Sequence, residues 1–429
     1  MTLIEYYGKI FFIIFIERRN FPVDKIYLDN SATTAPSQKA IEACVEAMQN
    51  RYGNPSSVHE CGTDAAKLLN DSRNEILCAL CGEKIRSSLP RTPALVSPIP
   101  QPYGRLIFTG SGTEANNTAI FGVADRYKSN PSACKVISTD SEHPSVREPL
   151  EKLRSEGYKV TYISTKNGVL DLEQLKRELT PDVKLVTVML ANNETGAVYN
   201  VKEIFALVRS KCPDALCHTD AVQAFQKIPF TAASLGADMI SVSGHKVHAP
   251  KGVGALWVSG TTVKRNKLGA YLLGGGQENG LRSGTENLPG IAAFAAAVKE
   301  NGGNGAGSIF SSKCGALRSI LLENLPSDVR VNVPEGEYLS NVISITLPIP
   351  RSQPMLNYLS AKGIYISAGS ACSAHKNAVS GTLLAFGLTE AEAHSTVRVS
   401  LDSSNTEQEI LSFCRVLGEG VSALYGKKK

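Results

Sequence analysis

A few short segments and single residues have types and spacing that suit covalent chemistry. In Ser243-Gly-His-Lys-Val-His-Ala-Pro-Lys-Gly252, Lys246 follows an apolar run. A lysine in a polar pocket beside a phosphate can lose its proton and form an imine with an aldehyde. The competing reading is an ordinary surface lysine, where most lysines lie. Thr109-Gly-Ser-Gly-Thr-Glu-Ala-Asn-Asn117 offers a phosphate free backbone N–H groups and the positive dipole end of a helix start, with a hydroxyl on Thr113. The same glycines match the G-x-G-x-x-A of dinucleotide folds, but that fold wants an acidic residue about 20 residues on, and the first candidate, Asp140, lies farther along. Asp220 can pair with a protonated ring nitrogen, and Gln223 falls on the same face. His143 can lie over such a ring and exchange protons, or be a satisfied structural histidine. Asn192, Asn193 and Glu194 end another strand with polar side chains suited to ligand contacts.

A further segment, Ser367-Ala-Gly-Ser-Ala-Cys-Ser-Ala374, surrounds Cys372 with small residues that give the thiol no apolar packing, as suits a nucleophile that must reach a substrate. His375 can lower its pKa. A metal reading of Cys372 with His375 lacks further ligands nearby, and Cys78 with Cys81 is a lone C-x-x-C pair without a second pair at zinc spacing.

Positioning these residues falls to strands alternating with helices, the pattern of a parallel α/β sheet. Strands are predicted at 105–109, 135–139, 159–163, 184–189, 216–219, 239–243 and 254–258, and every residue singled out above up to Lys246 lies at or just beyond a strand end, where ligands bind in such sheets. Ser37 caps a predicted helix with Ile41, Cys44, Val45 and Met48 as its apolar face. Five prolines between Pro90 and Pro102 rule out a helix or central strand there, so Gly82 to Arg105 is expected as an exposed loop. Four glycines in Asn301 to Gly307 interrupt or link a helix near the transition to a smaller domain.

With 429 residues, 42% hydrophobic and 20% charged, the chain can bury a large core. Its formal net charge of +5 comes from interspersed Lys and Arg, so direct nucleic acid binding is not expected. Ten scattered cysteines read as free thiols in a reducing compartment, and the apolar run Ile10 to Ile16 is far short of the roughly 20 residues that span a bilayer, so a cytoplasmic protein without a membrane role is expected.

These residues resemble a known family, the cysteine desulfurases (NifS/IscS-like) of the class V aminotransferase group. The resemblance also rests on Tyr27-Leu-Asp-Asn-Ser-Ala-Thr-Thr34, Gly53-Asn-Pro-Ser-Ser-Val-His59, Gly274-Gly-Gly-Gln-Glu-Asn-Gly-Leu-Arg-Ser-Gly-Thr285, Ser370-Ala-Cys372 and Val397-Arg-Val-Ser-Leu401. It implies fold type I of the pyridoxal phosphate enzymes, like aspartate aminotransferase: a mostly parallel seven-stranded sheet in a large domain at 25–300, and a smaller α+β domain at 301–429. Residues 1–24 form an extension, 83–104 an insertion, and 25–36 can pack with the small domain. The resemblance further implies that Lys246 carries pyridoxal 5'-phosphate, with Asp220 on the ring nitrogen, Gln223 on the phenolic oxygen, His143 stacked on the ring, and Gly112, Thr113, Ser243 and His245 on the phosphate. Thr285 would reach the phosphate of a second subunit, making the enzyme a homodimer. Asn193, also beside the cofactor, and Arg398 would bind the carboxylate of L-cysteine. Cys372 would take its sulfur as a persulfide and pass it to an iron–sulfur scaffold or a tRNA-thiolating enzyme. The alternatives are a selenocysteine lyase, another class V enzyme, or an inactive sulfur-transfer adaptor.

Overall fold

The computed structural model describes residues 25–89, 103–369 and 379–425. Its central feature is a seven-stranded sheet built from β2 (Arg105–Thr109), β3 (Lys135–Thr139), β4 (Lys159–Ile163), β5 (Val183–Thr187), β6 (Leu216–Asp220), β7 (Met239–Ser243) and β8 (Gly254–Val258), in the order 2-8-7-6-5-3-4. β8 alone runs antiparallel to its neighbours, so the carboxyl ends of the other six share one edge. β6, β7 and β8 are buried at every position, as expected of strands covered on both faces. The seven predicted strands all exist, with shifts of one or two residues at the ends of β5 and β6.

Helices α1 (Gln38–Asn50), α2 (Glu60–Cys81), α3 (Gly112–Ala124), α4 (Pro144–Ser155), α5 (Val201–Lys211) and α6 (Leu288–Glu300) accompany this sheet. Ser37 caps α1 as expected, its hydroxyl accepting from the Ala40 N–H. The face of α1 is a correction. The helix buries Ala40 and Ala47, against α6, and leaves Ile41, Val45 and Met48 about half exposed. Apolar spacing located the stripe but not what covers it.

The segment after α2 is a second correction. Residues 83–88 form a short 3₁₀ helix that puts Ile85 and Leu89 into the core, so this part of the expected loop is packed. The proline-rich residues 90–102 lie outside the described residues.

The chain continues through α7 (Ala306–Asn324), joined to α6 by the glycine-rich turn that the sequence marked, to a four-stranded antiparallel sheet in the order β12-β13-β10-β9. Its strands are β9 (Arg330–Val331), β10 (Val342–Thr346), β12 (Ser367–Ala368) and β13 (Thr396–Ser400), and α8 (Gln353–Ala361) and α10 (Glu407–Tyr425) accompany it. Between β13 and the sequence before it stands the short α9 (Gly381–Phe386). A separate apolar core that includes Leu321, Ile345, Val397 and Phe413 fills this unit. The amino-terminal β1 (Ile26–Tyr27) pairs with β11 (Ile364–Tyr365), and Leu28 belongs to the same second core. Residues 29–37 then return toward the large sheet, so one segment touches both units. Among the described residues no helix is long and apolar enough to cross a membrane.

Candidate active site

A cavity of about 270 Å³ opens at the carboxyl edge of the large sheet. Gly112, Thr113, His143, Asn193, Asp220, Gln223, Ser243, His245, Lys246 and Arg398 all line it, although they are spread over nearly 290 positions of sequence. Asp220 and Ser243 are the last residues of β6 and β7, α3 begins just after β2, and His143 caps α4 after β3. A groove of about 550 Å³ beside α3 and α4 is larger but is lined by Glu148, Lys152 and Glu156 without a converging polar network.

Lys246 Nζ donates to the carbonyls of Ser31 (2.5 Å) and Ala32 (2.8 Å). Burial, then the neighbouring charges of Lys227 and Arg398, push this amine down to about 7, against the pull of Asp29 and Asp220. A substantial fraction is therefore the free, nucleophilic base near neutrality.

Opposite the amine a hydrogen-bonded chain joins two acid–base groups. Asn116 Nδ2 donates to Asp220 Oδ2 (2.7 Å) and to Ser145 Oγ (2.8 Å), while the Val222 N–H donates to Asp220 Oδ1 (2.9 Å). His143 Nδ1 accepts the Ser145 N–H at 3.1 Å and lies 2.8 Å from Ser145 Oγ. Because a backbone N–H can only donate, Nδ1 is the acceptor and the neutral ring carries its proton on Nε2. Burial, the largest influence, holds His143 below the usual imidazole value.

The other end of the cavity has room and donors for an oxyanion. Ser243 Oγ is buried and has no partner among the described residues, and a Cβ on Gly112 would meet Val222 Cγ2 at 2.8 Å and Ser243 Cβ at 3.1 Å. His245 Nδ1 lies 3.2 Å from Thr33 Oγ1, and burial pushes it down to about 4, so the ring is neutral. Arg398, 2% exposed, pairs with Asp29 at 2.8 Å and donates to the Asn193 carbonyl at 3.0 Å, while its Nε has no partner.

Not every expectation converges here. Thr285 is exposed and does not line this cavity. Asn192 is a turn-builder, its Oδ1 accepting the N–H groups of Glu194 and Thr195, so of that trio only Asn193 faces the pocket. Glu194, buried and pushed up by that burial, accepts from Ser380 Oγ at 2.6 Å. Cys372 and His375 lie outside the described residues. Residues that motif spacing did not assign are Asn116, Ser145, Asp29 and the Ser31 and Ala32 carbonyls. Asn116 sits inside the expected phosphate segment, where only the glycines and Thr113 drew notice.

The family model for "Aminotransferase class-V" matches residues 26–82 and 100–413, skipping most of the proline-rich segment. A "Cysteine desulfurase" of Trichormus azollae is 35% identical over 402 residues, covering 93% of each chain. A solved structure titled "NIFS-LIKE PROTEIN" superposes with a TM-score of 0.80 at 32% identity, over 94% of this chain and all of that one. "SspA in complex with cysteine" gives a TM-score of 0.72 at 29% identity, over 89% of this chain and 100% of that one.

Proposed function

This chain belongs to the class-V aminotransferase family, and from that premise we propose that it is a pyridoxal phosphate-dependent cysteine desulfurase, converting L-cysteine to L-alanine. The observation that carries the reading is the meeting of Lys246, Asp220, His143, Ser243 and Arg398 in one cavity.

The residues present fit the cofactor. The orphaned Ser243 hydroxyl, the space above Gly112 and the N-terminus of α3 suit its phosphate, Asp220 its ring nitrogen, and Lys246 its aldehyde. When bound, it supplies an electron sink for charge developing at the substrate α-carbon. Everything else falls to side chains. Arg398, which lines the cavity with its plane fixed by Asp29 and the Asn193 carbonyl, would take the substrate carboxylate. The Lys246 amine would accept a proton from the α-carbon. His143 moves protons through Nε2, because Nδ1 is occupied. The Cys372 thiolate attacks the substrate sulfur, a sulfur–sulfur bond forms, and the electron pair of the broken carbon–sulfur bond stays with the carbon fragment, which leaves protonated as alanine.

Thr285 supports a homodimer. It is exposed on the loop that follows the exposed Tyr271, Leu272 and Leu273, and the uncovered stripe of α1 adds further apolar surface for a second copy. The two apolar cores support a division of the chain near residue 300, with 25–36 reaching across it. The nine cysteines among the described residues are all free, which supports a reducing, cytoplasmic setting. The persulfide would serve an acceptor protein of iron–sulfur assembly or tRNA thiolation.

Two measurements test this reading. Protein supplemented with pyridoxal phosphate should gain a visible absorbance band that Lys246→Ala lacks. After exposure to L-cysteine, mass spectrometry should find one added sulfur on the peptide containing Cys372. A colourless protein would overturn the cofactor assignment; an unmodified Cys372 peptide with alanine still formed would overturn the nucleophile.

A further inference from the structure

Lys227 is a buried lysine that the reaction as described does not use. It is 4% exposed, and its Nζ donates to Gln223 Oε1 at 3.1 Å. Among the described residues no carboxylate stands within ion-pair distance. Asp402, the acidic group whose field it feels most, is itself paired with His248 at 3.0 Å. A buried charge without a partner is costly, so its retention here asks for a reason.

The backbone leading to it is unusual too. Gln226 is buried with φ at 64°, in the left-handed region, held by a 2.7 Å bond from its amide to the Gly303 carbonyl. A non-glycine residue persists there only when its surroundings over-determine it. A second cavity, of about 340 Å³, has Lys227 and Lys246 together in its wall, and Lys246 also lines the main pocket.

Two contacts fix the amide of Gln223. An ammonium can only donate, so Oε1 faces Lys227; the Ser31 carbonyl can only accept, so Nε2, 3.0 Å away, faces that side. Both bonds require the same orientation, which turns the donor end of Gln223 toward the residues that hold Lys246.

We infer that Lys227 is a positioning residue for the cofactor pocket: it sets which end of the Gln223 amide is presented, and its unpaired charge disfavours a second ammonium at Lys246. The inference rests on the proposed function only in taking the pocket for a cofactor site. Around Lys246, Asp29 and Asp220 favour the ammonium, Arg398 and Lys227 oppose it, and His143 and the neutral His245 share the pocket. Burial is the largest influence on the amine and Lys227 the next. Lys227 itself is pushed down by burial to about 8, leaving it mostly charged at neutral pH.

The test uses the full chain freed of cofactor. Reductive methylation with formaldehyde and cyanoborohydride, read at the Lys246 peptide by mass spectrometry across a pH series, reports the free amine directly. Lys227→Gln keeps a donor but no charge, and Lys227→Met keeps neither. Both should move the Lys246 midpoint up by about one pH unit, roughly a fivefold loss of free amine near pH 7. Lys227→Arg, which keeps the charge, should restore it. An unmoved midpoint in Lys227→Gln that folds, judged by circular dichroism, would overturn the inference. So would a wild-type Lys246 midpoint at the value of an ordinary lysine, which needs no variant. Loss of the visible cofactor band would sink the cofactor reading and leave this titration untouched.

Discussion

Asn116 shows how a residue without reactivity of its own can govern two that have it. Its single NH₂ group serves Asp220 and Ser145, and Ser145 in turn contacts His143. Asn116→Ala should leave Asp220 Oδ2 short of a buried donor, a loss on the order of 1–3 kcal/mol. Weaker cofactor retention and a kcat/KM reduced roughly 10- to 100-fold are expected; cofactor titration and steady-state kinetics would check this, and unchanged values would count against the chain of contacts. Titration of buried residues makes a second prediction. His218, between Thr187 Oγ1 and Ser241 Oγ, is pushed down to about 3 by burial. Between that value and 6.5 the unfolded chain binds a proton that the native state refuses, so this contribution is complete above 6.5 and disappears as pH falls toward 3. The same sign applies to Lys246 between about 7 and 10.5 and to Lys227 between about 8 and 10.5. Glu142, pushed up to about 8 by burial, opposes it between 4.5 and 8. Above about pH 8 the lysines are opposed by buried thiols such as Cys78, Cys217 and Cys314, which burial keeps protonated in the native state, so the lysine contribution is read as a difference: from about pH 8 to 10 the urea midpoint of cofactor-free Lys227→Met should gain less, or fall more, than that of the wild type. The same pH dependence in both proteins would contradict the buried-amine assignment of Lys227.

At the scale of elements, the start of α3 does the most for the site. Ser111 caps it, its hydroxyl accepting the Glu114 N–H at 3.1 Å, and β8 approaches so closely that a Cβ on Gly254 would meet the Ser111 carbonyl carbon at 2.5 Å. That contact presses the helix N-terminus into the pocket beside Ser243. Gly112→Ala should therefore weaken cofactor binding at least about tenfold while costing stability only about 1–3 kcal/mol, since the added methyl meets side chains of Val222 and Ser243. Equilibrium titration with pyridoxal phosphate beside a thermal melt separates the two effects. Equal affinity in the variant would mean that the phosphate lies elsewhere. The strand ends were legible because β-rich apolar runs stop at polar residues. The covered face of α1 was not, because spacing cannot distinguish packing on α6 from packing on another chain.

Across the whole molecule, the question is where Thr285 acts. If it completes the pocket of a second copy, chains carrying Lys246→Ala and chains carrying Thr285→Ala should complement each other after mixing and reassembly, one pocket of each mixed dimer being intact. Sulfide release from L-cysteine would rise above that of either variant alone, up to about a quarter of wild type in a random mixture. No gain would assign Thr285 to its own chain or to no pocket. If this surface joins two copies, Leu273→Glu, placing a charge on a residue that is 81% exposed, should shift the sedimentation of the protein toward the monomer and lower activity with it.

Ser243, His245 and Arg398 were expected only through the family resemblance, whereas sequence alone marked the strand series, the sheet edge that carries the site, and Thr113, His143, Asp220, Gln223 and Lys246 at that edge. These follow from local rules: apolar periodicity, helix starts and residue chemistry act over a few positions, and each leaves its mark in the chain. Tertiary structure alone decided the rest. Arg398 meets Asp29 from the opposite end of the sequence and Asn193 from its middle, Ser31 and Ala32 hold Lys246 from more than two hundred residues away, and Lys227 shares a cavity wall with Lys246 without a carboxylate partner among the described residues. No short-range pattern encodes such pairings, because burial and charge balance arise only when distant segments share one low-dielectric space.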